Sequence, residues 1–255
     1  MGDEVTSETS KNVWRGGFIP AFVLVVITGV MGMAKHTWAS EPGGYKVVEL
    51  FTSQSCSSCP PADRVLESFS GKEHIITLGY HVTYWDHLSW KDRLSLPAAT
   101  ELQRTLNAER GSNRIYTPQM VINGVEELVG SDGGRAVSLL NNAPTLARIS
   151  LEHTGGMLTI TLSAGYAGKI SSEASVMLVA VGKAHRQSIE DGENAGRNVF
   201  YTSPVAFLRY LPPGDMTASG TLQVPIENLS SLEEVVVLVR EGRAGKILAA
   251  GRVRV

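Results

Sequence analysis

The chain holds two cysteines, and they stand together in Val47–Pro61, "VVELFTSQSCSSCPP". Cys56 and Cys59 close an apolar run and precede two prolines. Three chemistries fit such a pair: thiol–disulfide exchange, metal capture, or a small structural staple. A staple gains little here, because the entropic benefit of a crosslink shrinks with the loop it closes. Structural zinc asks for four ligands, and no second close Cys/His pair is present. Two thiolates with one distant histidine suit Cu(I). Exchange needs a thiolate that attacks and a second thiol within reach to resolve the mixed disulfide. A spacing of two residues supplies both, with Cys56 attacking and Cys59 resolving.

Placement turns the pair into more than a motif. A buried strand is expected over Val47–Thr52 and a helix over Ala62–Phe69, so the cysteines sit at a strand-to-helix corner. Backbone N–H groups at a helix start favour an anion. Pro60 and Pro61 are comfortable only in a first turn, so the helix is expected to begin near Ser58 or Cys59. That lessens the effect at Cys56 and predicts a moderately acidic thiol rather than an extreme one.

A second strand is expected over Ile75–Tyr84, a helix over Ala98–Arg110 and a short helix over Arg135–Leu140. Asn123-Gly124 between two apolar runs signals a tight hairpin. Residues 45–144 thus read β-α-β-α-β-β-α, a mixed sheet with covering helices. From residue 145 to 255 the texture becomes all-β. Leu158, Ile160 and Leu162 alternate with polar neighbours, and a small sandwich-like domain is expected. The polar, glycine-rich stretch "IEDGENAGRNVFYTSP" is either a surface connection or a segment that faces the cysteines.

His81, Tyr84, Trp85, Asp86, His87 and Trp90 gather after the second strand, at the same sheet end as the cysteines. They read either as an aromatic substrate groove with His81 as a proton carrier or metal ligand, or as an ordinary capped loop whose tryptophans pack under the second domain.

Apolar residues make up 43% of the 255 and charged residues 19%, the profile of a globular protein. Lys and Arg number 23 against 25 acids, and no basic block is present, which argues against nucleic acid as a partner. Residues 1–40 read as a signal peptide or an N-terminal anchor. Lys11 and Arg15 precede the apolar run Phe18–Met33, and cleavage is expected after Ala39. The run is short against the roughly 20 residues of a spanning helix. Either reading places the rest in the periplasm or outside the cell, with contact to the membrane only through residues 18–33. A disulfide persists in that compartment.

Four stretches, "VVELFTSQSCSSCPPAD", "YHVTYWDHLSWKD", "YTPQMVING" and "DGENAGRNVFYTSPV", resemble an exported bacterial family, domain of unknown function 1223, within the thioredoxin superfamily. The similarity covers roughly residues 45–255. The chain departs from the common text at Ser55, often glycine, and Thr83, often aspartate. The resemblance implies an α/β thioredoxin-like domain followed by a β-sandwich. It implies a cis Thr117–Pro118 bond packed against the cysteines, with Thr117 offering its main chain to a substrate. It gives Glu49 a proton-relay role toward Cys59, the alternative being a salt bridge to a lysine or a position near the sheet edge. Substrate contacts are expected at Thr117, Tyr84, Trp85 and His81.

The leading expectation is a thiol–disulfide oxidoreductase of the cell envelope acting on exported protein thiols or disulfides. It needs no cofactor beyond the Cys56–Cys59 disulfide, and an envelope electron donor if it reduces. The alternative is a non-catalytic binding protein carrying Cu(I) on the same cysteines.

Overall fold

A computed structural model describes residues 43–162, 171, 173–211, 220–226 and 229–255. The expected leader over residues 1–40 lies outside them. Among the described residues no helix is long and apolar enough to cross a membrane.

The first half follows the expected order. It runs β1 (Lys46–Thr52), α1 (Cys59–Phe69), β2 (Ile75–His81), α2 (Pro97–Glu109), β3 (Gln119–Ile122), β4 (Glu126–Val129) and α3 (Gly133–Asn142). These strands make a sheet of order β2-β1-β3-β4. β1 runs parallel to β2 and antiparallel to β3, and β3 is antiparallel to β4. Asn123 and Gly124 take φ of 51° and 69°, and Val125 N–H donates to the Ile122 carbonyl, closing the predicted two-residue turn. β2 is shorter than its apolar run because Thr83 N–H leaves the ladder and donates to the Thr100 hydroxyl.

The second half adds β5 (Ala147–Thr154), β6 (Met157–Leu162), β7 (Ser175–Gly182), β8 (His185–Ser188), β9 (Asn198–Tyr201), β10 (Val205–Leu211), β11 (Thr221–Pro225), β12 (Leu232–Arg240) and β13 (Ile247–Arg254). Seven of these form one sheet of order β10-β7-β12-β13-β5-β6-β11, and β8 pairs with β9 as a separate ribbon. The expected sandwich is therefore one continuous sheet that curls over, not two independent ones. Its β5-β6-β11 end shares a core with β7 and β12, through Ile160, Leu222, Leu178 and Val237.

β7 and β12 are buried on both faces, which is why their sequences are unbroken apolar runs. Val176, Leu178 and Ala180 face the inside of the curl. The intervening Met177, Val179 and Val181 pack with Val47, Phe51, Ile76, Leu78 and Tyr80 of the first sheet and with Leu102 and Leu106 of α2. The two halves thus share their largest core. On the other face of the first sheet, α1 and α3 cover Val48, Leu50, Met120 and Ile122.

Candidate functional site

The site begins where β1 ends. Ser58 is the N-cap of α1 and Cys59 its first residue, so Pro60 and Pro61 fall in the first turn as expected. Cys59 N–H donates to the Cys56 carbonyl at 3.1 Å, and the two prolines offer no N–H at all. The helix start therefore presents few donors to an anion, and a serine hydroxyl, Ser58 Oγ at 3.4 Å from Cys56 Sγ, is the polar group at the sulfur. Cys56 and Cys59 are joined in a disulfide.

Two stretches of chain hold the loop that carries them. Asp92 accepts from Gln54 N–H at 2.8 Å. Gln54 Oε1 accepts from the Trp90 indole at 3.0 Å, and the Ser55 hydroxyl donates to the Trp90 carbonyl. From the far half, Asn194 Nδ2 donates to the carbonyls of Gln54 and Cys56 at 2.8 and 2.9 Å. Asn194 sits in the β8–β9 connection, so the polar stretch read as either connection or site-facing does face the cysteines. Cys56 is left 2% exposed and Cys59 0%, while Ser57 and Ser58 are open to solvent. The strand-to-helix corner is as expected, and Cys56 is buried in it, its loop held by Asn194 and Trp90.

Glu49 lies elsewhere than a relay to Cys59 requires. Successive residues of a strand point to opposite faces. Glu49 shares its face with Val47 and Phe51, away from α1. Its Oε1 accepts from Arg240 Nη2 of β12, both side chains being fully buried. A salt bridge is what forms, with an arginine where a lysine was expected.

Another buried acid lies on the α1 side of the sheet, on the helix that begins at Cys59. Asp63 follows Cys59 by four residues on α1, and both face inward. Residues i and i+4 on a helix are neighbours, and side chains lean toward the N-terminus, so the Asp63 carboxyl leans toward Cys59. Its Oδ1 accepts from the Thr52 hydroxyl at 2.9 Å, and its buried Oδ2 makes no hydrogen bond. Burial pushes the carboxyl up to about 7, with His81 pulling the other way. The signal was present in the sequence: an acid on the apolar face of a helix, one turn past a cysteine.

His81 is also interior rather than a groove wall. Its Nδ1 lies 2.7 Å from Asp92 Oδ2, and the Tyr201 ring of β9 meets it edge-on at 4.9 Å. Burial works against the imidazolium, yet Asp92 beside it leaves the pKa above its ordinary value. For Asp92, burial works upward, but His81 and the N–H groups of Gln54 and Leu94 bring the carboxyl below its ordinary range. Asp86 accepts from Asp92 N–H and from the Ser95 hydroxyl. This part of the aromatic stretch is a capped loop that props the cysteine corner.

The remaining expected residues form one patch. Thr117–Pro118 is cis. Thr117 Oγ1 accepts from the Trp85 indole at 2.8 Å, and the Tyr84 and Trp85 ring centroids are 5.9 Å apart. Burial pushes the Tyr84 phenol up to about 12. Gly130 N–H donates to the Pro118 carbonyl at 2.9 Å, and a Cβ added at Gly130 would lie 3.0 Å from Ala62 Cβ of α1 and 3.4 Å from Pro118 Cβ.

Comparison with known proteins adds fold and family. A protein of Agrobacterium tumefaciens solved by structural genomics superposes with a TM-score of 0.63 at 25% identity, covering 83% of this chain and 95% of that one. HBP35 of Porphyromonas gingivalis superposes at 0.57 with 15% identity, over 84% of this chain and 76% of that one. No curated protein matches the chain. Residues 47–240, which hold the cysteine corner, the Asp63–His81–Asp92 group and Asn194, match a family described as a protein of unknown function, and the chain belongs to that family, DUF1223.

Proposed function

We propose that the chain is a thioredoxin-like thiol–disulfide oxidoreductase of the cell envelope, acting on exported protein thiols or disulfides. One observation carries the reading: a disulfide at the carboxyl end of β1, with a protonatable acid buried one helical turn behind its second cysteine. The sheet order and the proline at the entry to β3 support the thioredoxin-like part. The envelope part rests on the apolar segment Phe18–Met33.

In the reducing direction, the Cys56 thiolate attacks a substrate disulfide. One substrate sulfur leaves as thiolate and the other stays bound to Cys56. Cys59 then gives its proton to the Asp63 carboxylate and attacks Cys56 Sγ. The second substrate sulfur leaves, and two electrons have passed from the pair to the substrate. An envelope dithiol donor restores the pair. In the oxidising direction each step reverses, and Asp63 returns the proton. A carboxyl near pH 7 is poised for both directions. Access to Cys56 requires local opening of the Asn194 contacts, which are two hydrogen bonds.

The test is trapping. Cys59→Ser should accumulate a mixed disulfide between Cys56 and a model protein disulfide, and Cys56→Ser should lose all turnover. The reduction potential of the pair then sets the direction. If Cys59→Ser traps nothing at any pH between 5 and 9, the redox reading falls.

A further inference from the structure

Beside the cysteines lies a cleft of about 460 Å3 between α1 and the β8–β9 ribbon. α1 contributes Pro60, which follows Cys59 directly, with Arg64 and Glu67. The ribbon contributes Arg186, Arg197 and Phe200. The chain as a whole is slightly acidic, with a formal charge of −2, so three arginines against one glutamate in a single cleft run against its average. Among the described residues none of the three is in an ion pair. The Arg186 guanidinium lies over the Phe200 ring, 5.3 Å from its centroid, a cation–π distance. The planar fork of a guanidinium matches a carboxylate.

We infer that this cleft binds an acidic segment of the partner polypeptide, next to the cysteine that the pair exchanges with. The inference rests on the redox reading only for the identity of the partner; the charge complementarity stands without it. Position favours a polypeptide over a free anion. Pro60, the neighbour of Cys59 in the chain, lines the cleft, so an occupant lies close to the cysteine corner. The floor from Pro60, Val199 and Phe200 is partly apolar, which accommodates side chains between carboxylates.

The cleft also touches the cover over Cys56. Arg197 N–H donates to the carbonyl of Asn194, the residue that holds the Gln54 and Cys56 carbonyls. A segment that engages Arg197 therefore acts on the stretch that must open.

Binding is tested with a peptide that has no sulfur. Two labelled decapeptides, one with four glutamates and its glutamine counterpart, are titrated into the oxidised full chain by fluorescence anisotropy at low salt. The acidic peptide should bind about tenfold tighter or better, and the preference should fade above about 0.3 M salt, as expected for exposed charges. Arg186→Gln and Arg197→Gln should each reduce the preference, and the pair should remove it. Arg135→Gln, an exposed arginine of α3, should change nothing. Equal binding of the two peptides, or a preference untouched by both cleft variants, overturns the inference. A preference for anionic phosphatidylglycerol vesicles with none for the acidic peptide overturns it equally, in favour of a lipid surface. Because neither peptide can exchange thiols, failure of the redox reading leaves this result standing.

Discussion

Two carboxyls are buried on opposite sides of the same strand, and the molecule treats them differently. Glu49, on the face toward β12, is answered by the full positive charge of Arg240. Asp63, on the face toward α1, meets a hydroxyl from Thr52 and a histidine already engaged by Asp92. Each leaves one oxygen without a hydrogen bond, so satisfaction alone does not separate them. Counter-charge does. A carboxylate opposite a buried guanidinium forms an ion pair that ties two layers together. A carboxyl with no cation of its own is left free to take or release a proton. Proximity to a cysteine in sequence is a weaker guide than this distinction.

The largest expected effect tests the structural side. Glu49→Gln strands the Arg240 charge in the core, and breaking a buried pair costs about 3–5 kcal/mol. Urea denaturation should show that loss, and the double change Glu49→Leu with Arg240→Met should recover most of it. Turnover per folded molecule should stay at the wild-type level. A Glu49→Gln protein of normal stability that has lost turnover would reverse the assignment of the two acids.

Asp63→Asn tests the chemical side and should slow resolution of the mixed disulfide about 100-fold, the lower range for a lost general base. It also has a pH signature. The Asp63 pKa rises from 3.8 to about 7 on folding, so its favour toward the folded state is complete below 3.8 and is lost as pH climbs to about 7. The stability of Asp63→Asn relative to wild type should therefore increase from pH 4 to 7 and level off above. A flat difference across that range would show that Asp63 is not titrating.

Smaller effects sharpen the picture around the pair. Asn194→Ala removes two hydrogen bonds and should cost about 1–2 kcal/mol. Alkylation of Cys56 in the reduced protein should quicken several-fold, and an unchanged rate would show that Asn194 does not limit access. Trp85→Phe removes the bond to Thr117 and should cost about 1 kcal/mol, with weaker substrate affinity and unchanged chemistry. Single-turnover kinetics separate the two.

Much of the first half was legible in the chain. Paired prolines fixed where α1 begins, Asn123-Gly124 fixed the hairpin, and apolar runs fixed strands buried on both faces. What escaped was long-range or masked by pattern. Glu49 and Arg240 are 191 residues apart, and no local signal links them. Asp63 sits on a helix face whose other buried residues include Leu66 and Phe69, and an apolar pattern does not mark an acid among them. The β8–β9 ribbon consists of two four-residue strands, too short for alternation to register, and it carries Asn194 to the cysteines.

Gly79 of β2 donates its N–H to the Ser203 carbonyl at 2.9 Å, while the Thr77 and Ser203 hydroxyls meet at 2.8 Å. A single bridge between Gly79 and Pro204 completes the seam. One rim of the four-stranded sheet is thereby closed to passing chains. Its opposite rim, β4, is four residues long and bears adjacent glutamates, Glu126 and Glu127, which discourage a second molecule from adding its own strand. Both rims of this sheet are thus poor templates for strand addition by a second copy.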